Sequence, residues 1–252
     1  MNKLLVSIVL SAIAMPLCAQ DFEFPLEGIS KVVISAETRI DIRSHSGKTL
    51  LIREKENYRE GRPKKSKGLR EISNQEIANT NYGVKVEKEG ALLVVKGVRD
   101  RSYAGLVVRL PATMNVSAES LDNGGIYITG LHSEIEAINH HGRIKLTDVT
   151  GPIVVENDHG DVTIVFSTLN QFFPMSIVAS NGDIDVTLPA DSDATIRVKP
   201  IRGKFYTDLD LVLEPPSTNR KDKRLIRGQL NKGGPELNLQ NFMGNIYLRK
   251  LQ

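Results

Sequence analysis

Three histidines and one aspartate are the residues whose types and spacing could bind a metal ion. His141 and His159 lie 18 residues apart, each directly before a glycine, and His140 and Asp158 adjoin them. If successive segments of the chain stack as neighbouring strands, about 4.8 Å apart, residues at this spacing become neighbours. Imidazole nitrogens and carboxylate oxygens are ligands that Zn²⁺ accepts. We expect exposed turn residues without a bound metal ion, with these four residues as candidate ligands in the alternative interpretation.

Four carboxylates could take part in acid–base cleavage of an acidic polysaccharide: Glu156, Asp161, Asp183 and Asp185. The alternative is that they lie on the solvated side of strands and corners. The sequence contains no Gly-x-Ser-x-Gly elbow, no His-Glu-x-x-His zinc pair and no glycine-rich phosphate loop before a helix. We therefore expect a protein that binds rather than catalyses and needs no cofactor, with a polysaccharide-processing enzyme as the alternative function.

Two basic segments, at about 53–81 and 214–233, are the candidate contacts for an anionic ligand. Both are poor in apolar residues, so we expect polar loops inserted into the fold. Clustered Lys and Arg hold phosphate or carboxylate groups, which suggests an envelope glycan or another envelope protein as the partner. A solvated loop is the alternative for both. The candidate contacts are Arg62, Lys64, Lys65, Lys67, Arg220, Lys221, Lys223 and Arg224.

The elements that must position these residues are short strands that recur every nine residues. Each contains two apolar residues separated by one other residue, which is the period of a half-buried strand. We expect the apolar residues to face inward and the intervening residues, such as Tyr127, Lys145 and Thr163, to face outward. The inward pairs are Ile126/Ile128, Ile135/Ala137, Ile144/Leu146, Ile153/Val155 and Val162/Ile164. Less regular strands are expected near 32–34, 40–42, 50–52, 84–86, 92–95 and 106–110.

Glycines recur at twice that interval, at Gly124, Gly142 and Gly160. Each follows Asn or His, residue types that tolerate tight corners, and glycine adopts a positive φ without steric cost. Alternate turns are thus equivalent, which predicts a coil with two strands in each circuit of about 18 residues. We therefore expect a β-solenoid, in which each circuit buries its apolar residues by stacking on its neighbours. An antiparallel meander or sandwich is the alternative.

The first residues have the pattern of a secretory signal peptide. Lys3 precedes an apolar run over residues 4–17, which is too short for a stable membrane span. We expect cleavage after Ala19, so that residues 20–252 form a single domain that is exported to the periplasm, the cell surface or the medium. The alternative, lipidation of Cys18, is disfavoured because the large Leu17 precedes it.

The composition excludes one class of partner. The chain carries 33 basic and 30 acidic residues, a net charge of +3, which is not the strongly positive balance typical of a nucleic-acid-binding protein. Its single cysteine, Cys18, lies in the predicted signal peptide. The mature domain must therefore be stabilised by packing alone rather than by disulfides.

The segments 121–128, 139–146, 157–164 and 180–186 resemble the Asn-Gly-Asp-Ile repeats of the bacterial putative-adhesin family of β-strand repeat proteins. Residues 228–239 and 244–250 are similar to its closing circuits, and residues 107–111 to the strand that leads into its repeats. The resemblance implies an exported β-solenoid of the cell envelope, without catalytic residues and without an established ligand.

Overall fold

The computed structural model describes residues 21–54, 78–80, 82–98, 105–122, 124–216, 218–219 and 223–252. Every regular element in these ranges is a β-strand. The predicted all-β class is confirmed. A helix long and apolar enough to cross a membrane is absent from this part of the chain.

The strands are short, most of them four to seven residues long. Their bounds are β1 (Phe22–Pro25), β2 (Lys31–Ala36), β3 (Ile40–His45), β4 (Thr49–Glu54), β5 (Val84–Glu89), β6 (Leu92–Gly97), β7 (Leu106–Pro111), β8 (Asn115–Ser120), β9 (Ile126–Thr129), β10 (Ile135–His141), β11 (Ile144–Val149), β12 (Ile153–His159), β13 (Val162–Phe166), β14 (Met175–Asn181), β15 (Ile184–Leu188), β16 (Ala194–Pro200), β17 (Phe205–Thr207), β18 (Leu211–Leu213), β19 (Ile226–Leu230), β20 (Glu236–Met243) and β21 (Ile246–Lys250).

The strands form two large sheets. Sheet A has ten strands in the order β1-β4-β7-β3-β9-β11-β13-β15-β21-β17, and sheet B has eleven in the order β18-β19-β16-β20-β14-β12-β10-β8-β2-β6-β5. From β8 to β17 successive strands belong alternately to sheet B and sheet A. The pairs in the middle of both sheets are parallel, whereas antiparallel pairs occur near the ends.

The register of the parallel pairs follows the repeat. Ile126 pairs with Ile144 and Ile144 with Val162 in sheet A, while Ile135 pairs with Ile153 in sheet B. Residues 18 apart in the sequence therefore lie side by side in neighbouring strands.

The apolar residues of both sheets pack in one core. All ten residues of the predicted inward pairs are fully buried, and Lys145, between Ile144 and Leu146, is exposed. The prediction of inward and outward positions is therefore confirmed. Buried residues from the two sheets form a single contiguous cluster, as expected when each strand buries alternate side chains against the opposite sheet.

Two pairs of strands do not lie where their order in the chain would put them. The C-terminal pair β20 and β21 lies between β14 and β16 in sheet B and between β15 and β17 in sheet A, with parallel partners on both sides. At the other end, β2 lies between β8 and β6, and β3 lies between β9 and β7. Near one end the chain thus leaves a one-strand gap in each sheet that β20 and β21 fill, and near the other end later strands pair on both sides of β2 and β3.

The predicted polar loop at 214–233 requires a correction, because it contains strand β19. This strand pairs antiparallel with β16 and β18, and its Leu230 is buried. The sequence hides the strand because Gly228 occupies the inward position between Ile226 and Leu230 and interrupts the apolar pattern. Of the other predicted loop, 53–81, the structure describes only the end of β4 and residues 78–80. There the side chain of Asn79 exchanges two hydrogen bonds with the backbone of Val86, at 2.7 and 2.8 Å.

Candidate binding surface

The corners between sheet B and sheet A bring glycine backbones into direct contact. Gly160 and Gly182 have φ values of 108° and 115°, in a region that side chains other than glycine rarely adopt. A Cβ atom on Gly160 would overlap the carbonyl oxygen of Gly142, and one on Gly182 would overlap that of Gly160. The predicted corners are therefore present at Gly142 and Gly160, where the positive φ belongs to the glycine rather than to the preceding His, whereas at the first predicted corner it belongs to Gly125 and not to Gly124.

Buried asparagines hold these corners from inside. The amide of Asn139 donates to the side-chain oxygen of Asn157 at 2.6 Å and to the carbonyl of Gly142 at 3.0 Å. Asn157 in turn donates to the carbonyl of Gly160 at 2.6 Å. Both side chains are almost fully buried, so these bonds satisfy polar groups that would otherwise be costly. The asparagines three residues before Gly142 and Gly160 thus have a structural role, whereas Ala179 occupies this position before Gly182.

The residue after the glycine connects each corner to the next one. A carboxylate oxygen of Asp161 accepts the backbone N–H of Asp183 at 3.1 Å, and one of Asp183 accepts that of Asn245 at 2.7 Å. These hydrogen bonds give Asp161 and Asp183 a structural role at the corners. Of the other predicted carboxylates, Asp185 is ion-paired with Arg249, and Glu156 is exposed on sheet B.

The four candidate metal ligands form two pairs at the ends of β10 and β12. The rings of His141 and His159 stack with centroids 5.0 Å apart and an interplanar angle of 12°. His140 Nδ1 lies 2.9 Å from a carboxylate oxygen of Asp158. Consecutive residues of a strand point to opposite faces, which separates the two pairs. In the described ranges no three His, Cys, Asp or Glu side chains are grouped to hold an ion, and a metal site stays the alternative to exposed turn residues.

The basic candidate contacts fall mostly outside the described residues. Lys223 and Arg224, which precede β19, are both exposed. The candidates outside the described residues are Arg62, Lys64, Lys65, Lys67, Arg220 and Lys221.

Sheet A presents one continuous line of outward side chains, which we call the outward row. Each member occupies the middle of an apolar-x-apolar triplet or its equivalent and pairs in register with the member on the next strand. The row contains aromatic, charged and hydroxyl side chains in no regular order. In spatial order the members are Asp41, Tyr127, Lys145, Thr163, Asp185, Tyr247 and Tyr206.

At the end of the row near β3, an arginine covers the tyrosine. The guanidinium carbon of Arg39 lies 3.7 Å from the centroid of the Tyr127 ring, a cation–π contact. Asp41 accepts hydrogen bonds from Arg39 at 3.3 Å and from Arg43 at 2.9 and 3.2 Å. The hydrogen bond and the charge of Asp41 raise the pKa of Arg43. This end is therefore occupied by its own side chains.

At the other end, near β17, two tyrosines stack on each other. The rings of Tyr206 and Tyr247 have centroids 5.3 Å apart and are inclined by 12°. Arg249 lies 5.1 Å from the Tyr247 centroid, and its Nε donates to both carboxylate oxygens of Asp185, at 2.9 and 3.1 Å. The hydrogen bond and the charge of Asp185 raise the pKa of Arg249. Tyr206 is 47% exposed.

Sequence reasoning found only the middle of the outward row. Tyr127, Lys145 and Thr163 are recognisable because they lie in consecutive repeats. Tyr247 and Tyr206 also follow an inward apolar residue, but the sequence gives no sign that they are neighbours, since β21 lies between β15 and β17.

Comparisons with known proteins give two structural similarities. No family model matches the sequence, and no curated protein matches it. A putative cell adhesion protein from Clostridium sporogenes has a TM-score of 0.45 at 11% sequence identity, covering 92% of this chain and 100% of the other. A putative adhesin from Bacteroides fragilis has a TM-score of 0.32 at 12% identity, covering 92% of this chain and 96% of the other.

Proposed function

We propose that this chain is an exported, non-catalytic binding or scaffolding module of the bacterial cell envelope, with an adhesin-like role. The observation that carries the proposal is the outward row, which places aromatic, charged and hydroxyl side chains side by side across seven strands of sheet A. A rigid sheet holds such groups in fixed positions, so that binding a long ligand orders few protein side chains.

The scaffold of this module is, in our proposal, a β-solenoid formed by residues 20–252. Three observations support it: the parallel register between residues 18 apart, the alternation of strands between the two sheets and the shared core. In a solenoid each circuit depends on its neighbours for burial, and the long outward row is a direct product of that stacking.

Export is the remaining part of the proposal. It depends on Lys3, the apolar run over residues 4–17 and Ala19, all of which lie outside the described residues. We place the mature protein in the periplasm, at the cell surface or in the medium. The alternative of a polysaccharide-processing enzyme is less well supported, because the contacts of Asp161, Asp183 and Asp185 are those of corner and ion-pair residues.

Sedimentation with isolated envelope fragments of the source bacterium tests the proposal. The wild-type protein should sediment with the fragments. A row variant, Lys145→Glu with Thr163→Ala, should stay in the supernatant, because it inverts one charge and removes one hydroxyl group in the middle of the row. A matched variant on sheet B, Val154→Ala with Glu156→Lys, should sediment like the wild type. If the wild-type protein stays in the supernatant, or both variants behave alike, the outward row is not a binding surface for the envelope.

A further inference from the structure

We propose that the β17 end of the outward row binds a pyranose ring of a neutral glycan, with the exposed ring of Tyr206 as the stacking surface. This inference rests on the proposed binding function and specifies the ligand class. Sugars present polarised C–H groups on one face of the ring and hydroxyls around its rim. A site for them needs an accessible aromatic face beside fixed polar groups, and this end of the row has both.

The accessible aromatic face is a consequence of the sheet order. One face of the Tyr206 ring stacks on Tyr247. β17 is the last strand of sheet A, so among the described residues no further strand of the sheet pairs beyond it to cover the other face. Tyrosine offers a large, stiff contact area that loses little conformational entropy on binding. The stacked ring of Tyr247 restricts the Tyr206 ring further, so that less conformational entropy is lost when a ligand binds.

The fixed polar groups lie next to the tyrosines. Arg249 uses its Nε to bind Asp185. Its two terminal NH₂ groups take no part in that contact and can donate hydrogen bonds to sugar hydroxyls. The amide of Asn245 donates to the hydroxyl of Tyr247 at 3.2 Å. Asp208, two residues after Tyr206, accepts the backbone N–H of Lys250 at 2.7 Å and ties the edge of the sheet to β21.

The charge at this end favours a neutral sugar over an acidic one. Nε of Arg249 contacts both carboxylate oxygens of Asp185, which balances its charge, and the exposed Lys204 and Asp208, two residues before and after Tyr206, carry opposite charges. These charges offset one another, so they offer an acidic glycan no excess of positive charge. The opposite end of the row is not equivalent, because Arg39 already covers Tyr127 at 3.7 Å.

Titration with defined oligosaccharides tests this inference. The probes are chitohexaose, cellohexaose and xylohexaose as neutral glycans and hexagalacturonate as an acidic one. Binding is measured by calorimetry and by tyrosine fluorescence, which is not masked because the chain has six tyrosines and no tryptophan. At least one neutral hexasaccharide should bind. The Tyr206→Ala variant should bind it about tenfold more weakly, as expected for the loss of one aromatic contact, and Tyr206→Phe should keep most of the affinity.

A matched control separates this site from a general effect of exposed aromatic rings. Phe172, in the loop between β13 and β14, is 83% exposed, and Phe172→Ala should bind like the wild type. Thermal unfolding of all variants should be similar, because both rings are exposed. The inference is overturned if no neutral hexasaccharide binds, if only hexagalacturonate binds, or if Tyr206→Ala leaves the affinity unchanged. Retained sedimentation with envelope fragments in such a case would leave the proposed function intact.

Discussion

A corner position imposes two separate conditions on its residue, a positive φ and the absence of a side chain. Gly160 has both, since its φ is 108° and a Cβ atom would overlap the Gly142 carbonyl. We expect Gly160→Ala to lower the free energy of unfolding by more than about 3 kcal/mol, because a backbone strain of about 1–3 kcal/mol adds to the displacement of a stacked strand. Chemical denaturation followed by circular dichroism measures the change.

Gly90 provides the matched control for that substitution. Its φ is 63°, but a Cβ atom there would have no atom within 4 Å. Gly90→Ala should therefore cost only the conformational penalty of about 1–2 kcal/mol. Equal losses at Gly160 and Gly90 would show that the corner backbones do not pack as closely as described here.

The asparagines inside the corners form an interrupted series. Ala179 pairs in register with Asn157 on one side and Asn241 on the other, and Asn241 Oδ1 is buried without a hydrogen-bond partner. We expect Ala179→Asn to raise the free energy of unfolding by about 1 kcal/mol, since its amide can donate to Asn241. The control is Ala137→Asn, at an apolar buried position, which should destabilise by about 1–3 kcal/mol. A loss of stability with Ala179→Asn would show that the new amide does not form the expected hydrogen bond with Asn241.

Among the elements, β20 and β21 each pair with a parallel strand on both sides, so their loss would separate the strands that they join. Four of their side chains, Leu237, Leu239, Ile246 and Leu248, are fully buried. Together they contribute on the order of 6–12 kcal/mol of burial, which is comparable with the whole stability of a typical domain. A chain that ends at Pro235 should therefore lose cooperative unfolding of β16 to β19.

Peptide complementation gives that truncation a positive readout. A synthetic peptide of residues 234–252 should restore thermal stability to the truncated chain, because it can pair with parallel strands on both sides. The same peptide carrying Ile246→Asp and Leu248→Asp should not. Unchanged stability of the truncated chain would mean that the gap closes without its C-terminal strands.

The limits of sequence reasoning are clearest at the level of elements. The inward pairs from Ile126 to Ile164 could be predicted because their apolar residues alternate within each strand and recur every nine residues along the chain. This spacing indicates which side chains are buried. The position of β21 could not be predicted, since any strand with apolar alternate residues fits any gap equally well. For the same reason the repeats predicted the middle of the outward row but missed the stacking of Tyr206 on Tyr247. Strand β19 was missed because Gly228 occupies its central inward position.

For the whole molecule, export is the prediction with the simplest test. Mass spectrometry of the protein recovered from the producing bacterium should show an N-terminus at Gln20, because Ala19 is a small residue at the end of the apolar run. An N-terminal Cys18 that carries lipid would contradict cleavage after Ala19. An intact N-terminus would contradict export by this signal.

The late position of β20 and β21 in the chain has a consequence for the timing of folding. A polypeptide leaves the ribosome from its N-terminus, and folding of the earlier parts starts first. The space between β14 and β16 cannot be filled until β20 has emerged, and the space between β15 and β17 cannot be filled until β21 has emerged. The native core around β14 to β17 is therefore completed only after β20 and β21 have been synthesised. If the chain is exported as proposed, its final folding also waits until these two strands have crossed the membrane.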